Sequence, residues 1–284
     1  MTHPQHVGVV GGGRMGAGIA QVFATLGSSV TIAETGDQAA ALERVATGLA
    51  RAHERGKLGG ALPADILSRV SAVGGPRDLG RDLDLVVEAV PEIPALKVDV
   101  LAALDATVSP STVIASNTSS ISIAELGSAL TDPSRFVGMH FFNPVPASTL
   151  VEIVRAPATS PEIVDRVRQW VSELGKSEML VNDSPGFATS RLGVCLGLEA
   201  IRMLEEGVAD AESIDRAMEL GYKHPMGPLR STDLVGLDVR LAIAEHLAST
   251  LGKRFTPPQL LRDKVARGEL GRKSGTGFHR WENA

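Results

Sequence analysis

The chain has 284 residues, 43% of them hydrophobic, and carries a net charge of −5 at neutral pH. That length suits one large or two ordinary domains, and the acidic balance provides no global basic field for nucleic acid or an anionic membrane. One cysteine, Cys195, excludes an intrachain disulfide and a cysteine-based zinc cage, and no metal site is expected.

The opening stretch "MTHPQHVGVVGGG" lacks a basic region followed by an apolar run, which argues against a signal peptide. No run approaches the ~18 apolar residues a membrane span needs, so the expected compartment is the cytoplasm. The first predicted strand, "HVGVVG", leads into Gly11, Gly13 and Gly16 in a G-x-G-x-x-G frame. Gly11 permits a tight turn, Gly13 lets a pyrophosphate approach the backbone, and Gly16 lets the next helix close on the strand. Arg14 and Met15 lie inside that turn and open a helix predicted over Arg14–Leu26, with Gly27 as its stop. Phosphates at this point would meet the free N–H groups and the positive end of the helix dipole.

The second strand, "SVTIAE", ends at Glu34, placed to accept the ribose hydroxyls of NAD and to repel the extra phosphate of NADP. The competing role for Glu34 is to cap the helix predicted over Gly36–Arg55. "RGKLGGALPAD" (55–65) reads as a loop from its glycines and proline. "LDLVVEAV", a helix over Ala95–Ala106, "TVIASNTS", "RFVGMHFF" and "TLVEIV" continue the alternation. Near-continuous Val, Ile and Leu mark strands covered on both faces. The fold class is therefore α/β, a Rossmann-type doubly wound sheet.

Two of these strands end in polar groups, at the edge where open α/β sheets bind ligands. "ASNTSS" offers Asn117 and Ser119, which a turn and helix cap would equally explain. His140 stands near the tip of "RFVGMHFF", where a histidine is more often a core residue bonded to backbone. Twelve residues on, Glu152 is a carboxylate in an apolar strand, costly to bury unless paired. Adjacent in a sheet, the two would satisfy each other, and the carboxylate would fix the imidazole as a general base for an alcohol.

After "VNDSPGF" the texture changes. Val194, Leu198 and Ile201, and then Leu237, Leu241, Ala244, Ala248 and Leu251, fall at helical spacing, and no convincing strand follows. Two domains are expected: residues 1–183, a dinucleotide-binding sheet domain, and residues 184–284, a smaller all-helical domain.

Taken together, "GGGRMGAGIA", "VVEAVPEIPALK", "ASNTSS", "GMHFFNPVP", "LVEIV", "DSPGF", "HPMGPL", "DLVGLDV" and "LGRKSGTGF" resemble the L-3-hydroxyacyl-CoA dehydrogenase family nearly end to end, close to its bacterial 3-hydroxybutyryl-CoA members. The resemblance implies NAD-dependent oxidation of a short-chain (S)-3-hydroxyacyl-CoA. It makes His140 the base, Glu152 its partner, and Ser119 a contact to substrate and nicotinamide. Glu92, Lys97, Asn143 and Lys273 become cofactor contacts, with Asn143 also near substrate. Lys57, beside Arg51 and Arg55, becomes a contact to coenzyme A. It also implies a homodimer through the helical domain; Leu237, Leu241 and Ala244 are the candidates for packed seams in that domain. Neither nucleic acid nor a membrane is an expected partner. The family usually reads D-x-P-G-F-x-x-N-R; here "DSPGFATSR" puts Ser190 where the substrate-holding Asn stands. The alternatives are a dehydrogenase of a free 3-hydroxy acid, such as a sugar acid or carnitine, and a non-catalytic NAD(H)-binding protein.

Overall fold

A computed structural model describes residues 3–281. Its backbone packing divides into two compact units that part between Asp183 and Ser184.

The first unit is built on eight strands: β1 (His6–Val10), β2 (Ser29–Ala33), β3 (Val70–Val73), β4 (Leu85–Glu88), β5 (Val113–Ser116), β6 (Phe136–Phe141), β7 (Leu150–Arg155) and β8 (Ser177–Asn182). They form one sheet in the order β3-β2-β1-β4-β5-β6-β7-β8. Helices α1 (Arg14–Leu26), α2 (Gln38–Glu54), α3 (Pro63–Leu67), α4 (Pro94–Thr107), α5 (Ile123–Gly127) and α6 (Pro161–Glu173) connect them. From β1 to β6 every pairing is parallel, and the chain reverses direction across the sheet between β1 and β4. Such a switch opens a crevice at the carboxyl ends of the strands.

The apolar runs explain the centre of this sheet. Val7, Val9, Leu85, Val87, Val113, Ala115, Val137 and Met139 are wholly buried and pack with Ile19, Ala20 and Phe23 of α1. Helix α1 stops where Gly27 takes φ 115°, a left-handed value that costs glycine little, and its N–H bonds the Ala24 carbonyl at 3.1 Å.

Two strands escape the sequence reading, and both are at edges. "VSAV" of β3 is short and only part-buried, while "SEMLVN" of β8 mixes exposed and half-buried positions. Neither shows the continuous apolar run of a doubly covered strand. The expectation of parallel pairing also fails at one place, because β7 runs antiparallel to β6. The link 142–149 is too short for a parallel crossover, which takes a dozen residues or more. The predicted loop 55–65 is a loop only to Leu62; Pro63 then opens α3 from the first helical turn, where its missing N–H costs nothing.

The second unit consists of α7 (Thr189–Glu205), α8 (Ala211–Arg216), α9 (Pro228–Val235), α10 (Leu237–Leu251) and α11 (Gln259–Ala266). Val194, Leu198 and Ile201 of α7 meet Leu229, Leu237, Ala244, Leu247 and Leu261 in its core. Leu237 and Ala244, expected at packed seams of this domain, are wholly buried within this unit, and half-buried Leu241 packs against the same core. Their helical spacing records the unit's own core. The apolar side chains left outside are Leu192, Leu234, Val235 and Val239, among others.

Two buried carboxylates tie the sequence blocks of this unit together. Asp233 accepts the N–H groups of Phe278 and His279 and the indole N–H of Trp281, at 2.8–2.9 Å. Asp215 accepts from Leu229, Arg230 and the His279 ring. Among the described residues no helix is long and apolar enough to cross a membrane, and no cluster of His, Cys, Asp or Glu could hold a metal ion.

Candidate active site

The glycine turn lies at the switch point, between β1 and α1. Gly11 takes φ 97°, and a Cβ there would stand 2.9 Å from the Ala89 carbonyl oxygen. A Cβ on Gly16 would stand 1.8 Å from the carbonyl oxygen of Gly11, so only glycine closes the helix on the strand. Gly13 differs: it has ordinary dihedrals, no side chain caps α1 there, and nothing lies within 4 Å of where its Cβ would be. That open cradle before an uncapped helix start fits a pyrophosphate. Gly13→Ala should therefore leave the melting temperature within a few degrees but weaken NADH binding about tenfold or more, whereas Gly16→Ala should damage folding itself. Thermal unfolding and NADH titration of the two variants separate these outcomes.

Glu34 follows β2 directly. Its two oxygens accept the N–H of Gly12 at 2.7 Å and of Gly36 at 2.8 Å. The cap of α2 is Asp37, whose side chain accepts from Ala40, so the capping role does not fall to Glu34. Glu34 is instead locked to the glycine turn, and each oxygen retains a second lone pair for a ribose hydroxyl.

At the carboxyl ends of β4 and β5 the structure adds residues the sequence reading did not single out. Glu88, wholly buried, accepts from Lys97 Nζ at 2.8 Å, from the Val90 N–H at 2.7 Å and from Ser116 Oγ at 2.6 Å. Lys97, expected as a cofactor contact, is only 1% exposed and lies between Glu88 and Glu92, with Glu92 Oε2 at 3.3 Å. In this structure the ammonium pairs with two carboxylates of its own chain. Glu92 in turn collects the loop after β5. Its Oε1 accepts from Thr118 Oγ1 at 2.6 Å, the Ser119 N–H at 2.8 Å and Ser119 Oγ at 3.2 Å. The Ser120 N–H also donates to it. Burial pushes the Glu92 carboxyl up, but the Lys97 charge and the Thr118 and Ser119 hydrogen bonds outweigh it and hold the pKa below its ordinary value. The signal for Glu88 was present: like Glu152, it is a carboxylate in an apolar strand.

Asn117 bridges to the next strand, its Oδ1 accepting the Phe141 N–H at 2.8 Å. On β6 and β7 the antiparallel register sets His140 directly opposite Glu152. Nδ1 of His140 is 2.9 Å from Oε2 of Glu152, and the two side chains are 9% and 0% exposed. With the Nδ1 proton donated to the carboxylate, the neutral ring carries its lone pair on Nε2. Phe142 packs on the imidazole, ring centroids 4.4 Å apart. Asn143 is exposed, one residue further along the segment that leaves β6.

Lys57, Arg51 and Arg55 are exposed at the end of α2 and in the loop after it. In the second unit, Ser190 is in the first turn of α7, and Lys273 pairs with Asp238 at 2.6 Å.

Glycine turn, Glu34, the Glu88–Lys97–Glu92 cluster and the His–Glu pair share one edge of one sheet, which is how an α/β dehydrogenase is laid out. The chain belongs to the 3-hydroxyacyl-CoA dehydrogenase family. Residues 6–184 match that family's NAD binding domain and residues 186–281 its C-terminal domain. A probable 3-hydroxybutyryl-CoA dehydrogenase of Deinococcus radiodurans is 43% identical over 279 residues, 96% of this chain and 99% of that protein. The 3-hydroxybutyryl-CoA dehydrogenase of Mycobacterium tuberculosis is 42% identical over 280 residues, 97% of this chain and 98% of its own. The crystal structure of (S)-3-hydroxybutyryl-CoA dehydrogenase from Ralstonia eutropha is 40% identical, with a TM-score of 0.93 over 99% of this chain and 100% of that one.

Proposed function

We propose that the protein oxidises short-chain (S)-3-hydroxyacyl-CoA thioesters to 3-oxoacyl-CoA with NAD as oxidant. The observation that carries the reading is the buried His140–Glu152 pair on the same sheet edge as an open glycine cradle. A protein that only senses or stores a dinucleotide needs no proton acceptor.

The Gly11–Gly16 turn and the start of α1 hold the pyrophosphate, and Glu34 accepts the adenosine ribose hydroxyls. When bound, NAD supplies the hydride acceptor. His140 takes the hydroxyl proton on Nε2, and the charge that develops on the ring is met by Glu152. General base catalysis of this kind is typically worth ~10²–10⁴ in rate. Ser119, held by Glu92, steadies the reacting oxygen, and Asn143 meets the nicotinamide end. The exposed Arg51, Arg55 and Lys57 form the local basic patch that an acidic chain needs for the phosphates of coenzyme A. The helical domain contributes substrate contacts, Ser190 among them, and pairs two copies into a homodimer; exposed Leu192, Leu234, Val235 and Val239 support that role. The enzyme works in the cytoplasm.

The test is an NADH-absorbance assay over 3-oxoacyl-CoA thioesters of increasing length, with the matching free acids as controls. Turnover confined to thioesters supports the proposal. Turnover of free acids at equal efficiency would replace it with a hydroxy-acid dehydrogenase, and NADH binding without turnover would end it.

A further inference from the structure

The segment 142–149 joins the strand of His140 to the strand of Glu152 and carries Asn143. It is held from two sides. Val145 is buried against α1, where a Cβ on Gly18 would come within 2.9 Å of the Val145 Cβ. On the other side stands Lys176, at the turn between α6 and β8. Its ammonium donates to the Val145 carbonyl at 2.7 Å and also to the Ser148 carbonyl. Among the described residues it forms no ion pair with a carboxylate. Burial holds its pKa below the ordinary lysine value. A half-buried cation whose partners are two carbonyls of one short loop fixes the shape of that loop, because few other donors could satisfy both oxygens.

We propose that Lys176 is a positioning residue that sets the 142–149 loop so that Asn143 meets the nicotinamide end of the cofactor. This rests on the cofactor reading above. Among the described residues, neither Lys176 nor the 142–149 loop hydrogen-bonds Gly13 or Glu34, so the effect of Lys176 is expected in the nicotinamide half. ADP-ribose, which has the adenosine and pyrophosphate but no nicotinamide, is the probe that isolates the other half.

Lys176→Met, Lys176→Arg and the unaltered protein are titrated with NADH and with ADP-ribose, and their melting temperatures are recorded. Lys176→Met is expected to weaken NADH about tenfold, the loss of one charged hydrogen bond's worth of ordering, while ADP-ribose affinity changes less than about twofold. Lys176→Arg, which keeps charge and donors, is expected to recover most of the NADH affinity. Equal losses for both ligands would make Lys176 merely structural and overturn the proposal, as would unchanged NADH affinity in Lys176→Met. If the unaltered protein bound neither ligand, the cofactor reading itself would fall, a different result from either.

Discussion

His140→Gln is expected to cut kcat by at least ~10², the lower end for loss of a general base, with NADH affinity nearly unchanged. Glutamine can still donate to Oε2 of Glu152, so the buried carboxylate keeps a partner and the strand register is undisturbed. What it cannot do is accept and hold a proton. The loss should therefore appear in kcat and kcat/KM together, the pattern for an interaction made only on the way to the transition state. Steady-state kinetics, with NADH titration as the control, measures all three quantities. A parallel loss of NADH affinity would recast His140 as a structural residue.

That reading depends on a partnership the sequence displayed only indirectly. His140 and Glu152 were visible as two polar residues in apolar runs. Their contact follows from the short link 142–149, which forces β7 antiparallel and sets the register that faces one with the other. The glycine turn and Glu34 were legible for a similar reason, since a backbone that must turn tightly against β4 and close against α1 tolerates no other residue at Gly11 and Gly16. Edge strands were not legible: β3 and β8 have one partner each and mixed burial, so no long apolar run announces them. Lys97 is less legible, because a lysine near a binding motif reads equally as a ligand contact or as a counter-charge, and its buried partner Glu88 lies nine residues earlier. Leu237 and Ala244 show the same ambiguity among apolar residues, since a stripe at helical spacing does not say whether its own fold or another copy covers it.

Lys97→Met should be strongly destabilising, by about 3–5 kcal/mol, because it strands a buried carboxylate. Glu88 would retain only the Val90 N–H and the Ser116 hydroxyl, with no positive charge beside it. The effect should be local first. Glu88 and Ser116 end β4 and β5, so hydrogen exchange at the amides of those strands should accelerate before the rest of the sheet. Pairing the change with Glu88→Gln should recover much of the loss, since a neutral amide needs no counter-charge; a double-mutant cycle measures that coupling. Glu92 adds a dependence on pH. In the unaltered protein its folded pKa lies below the ordinary 4.5. Its contribution to stability is therefore present above that value and lost as pH falls through the folded one. Without Lys97 that contribution shrinks, so the gap in stability between the two proteins should be wider at neutral pH than in acid. A gap that stayed constant across that range, or a Lys97→Met protein within about 1 kcal/mol of the original, would mean that water reaches the cluster and screens it.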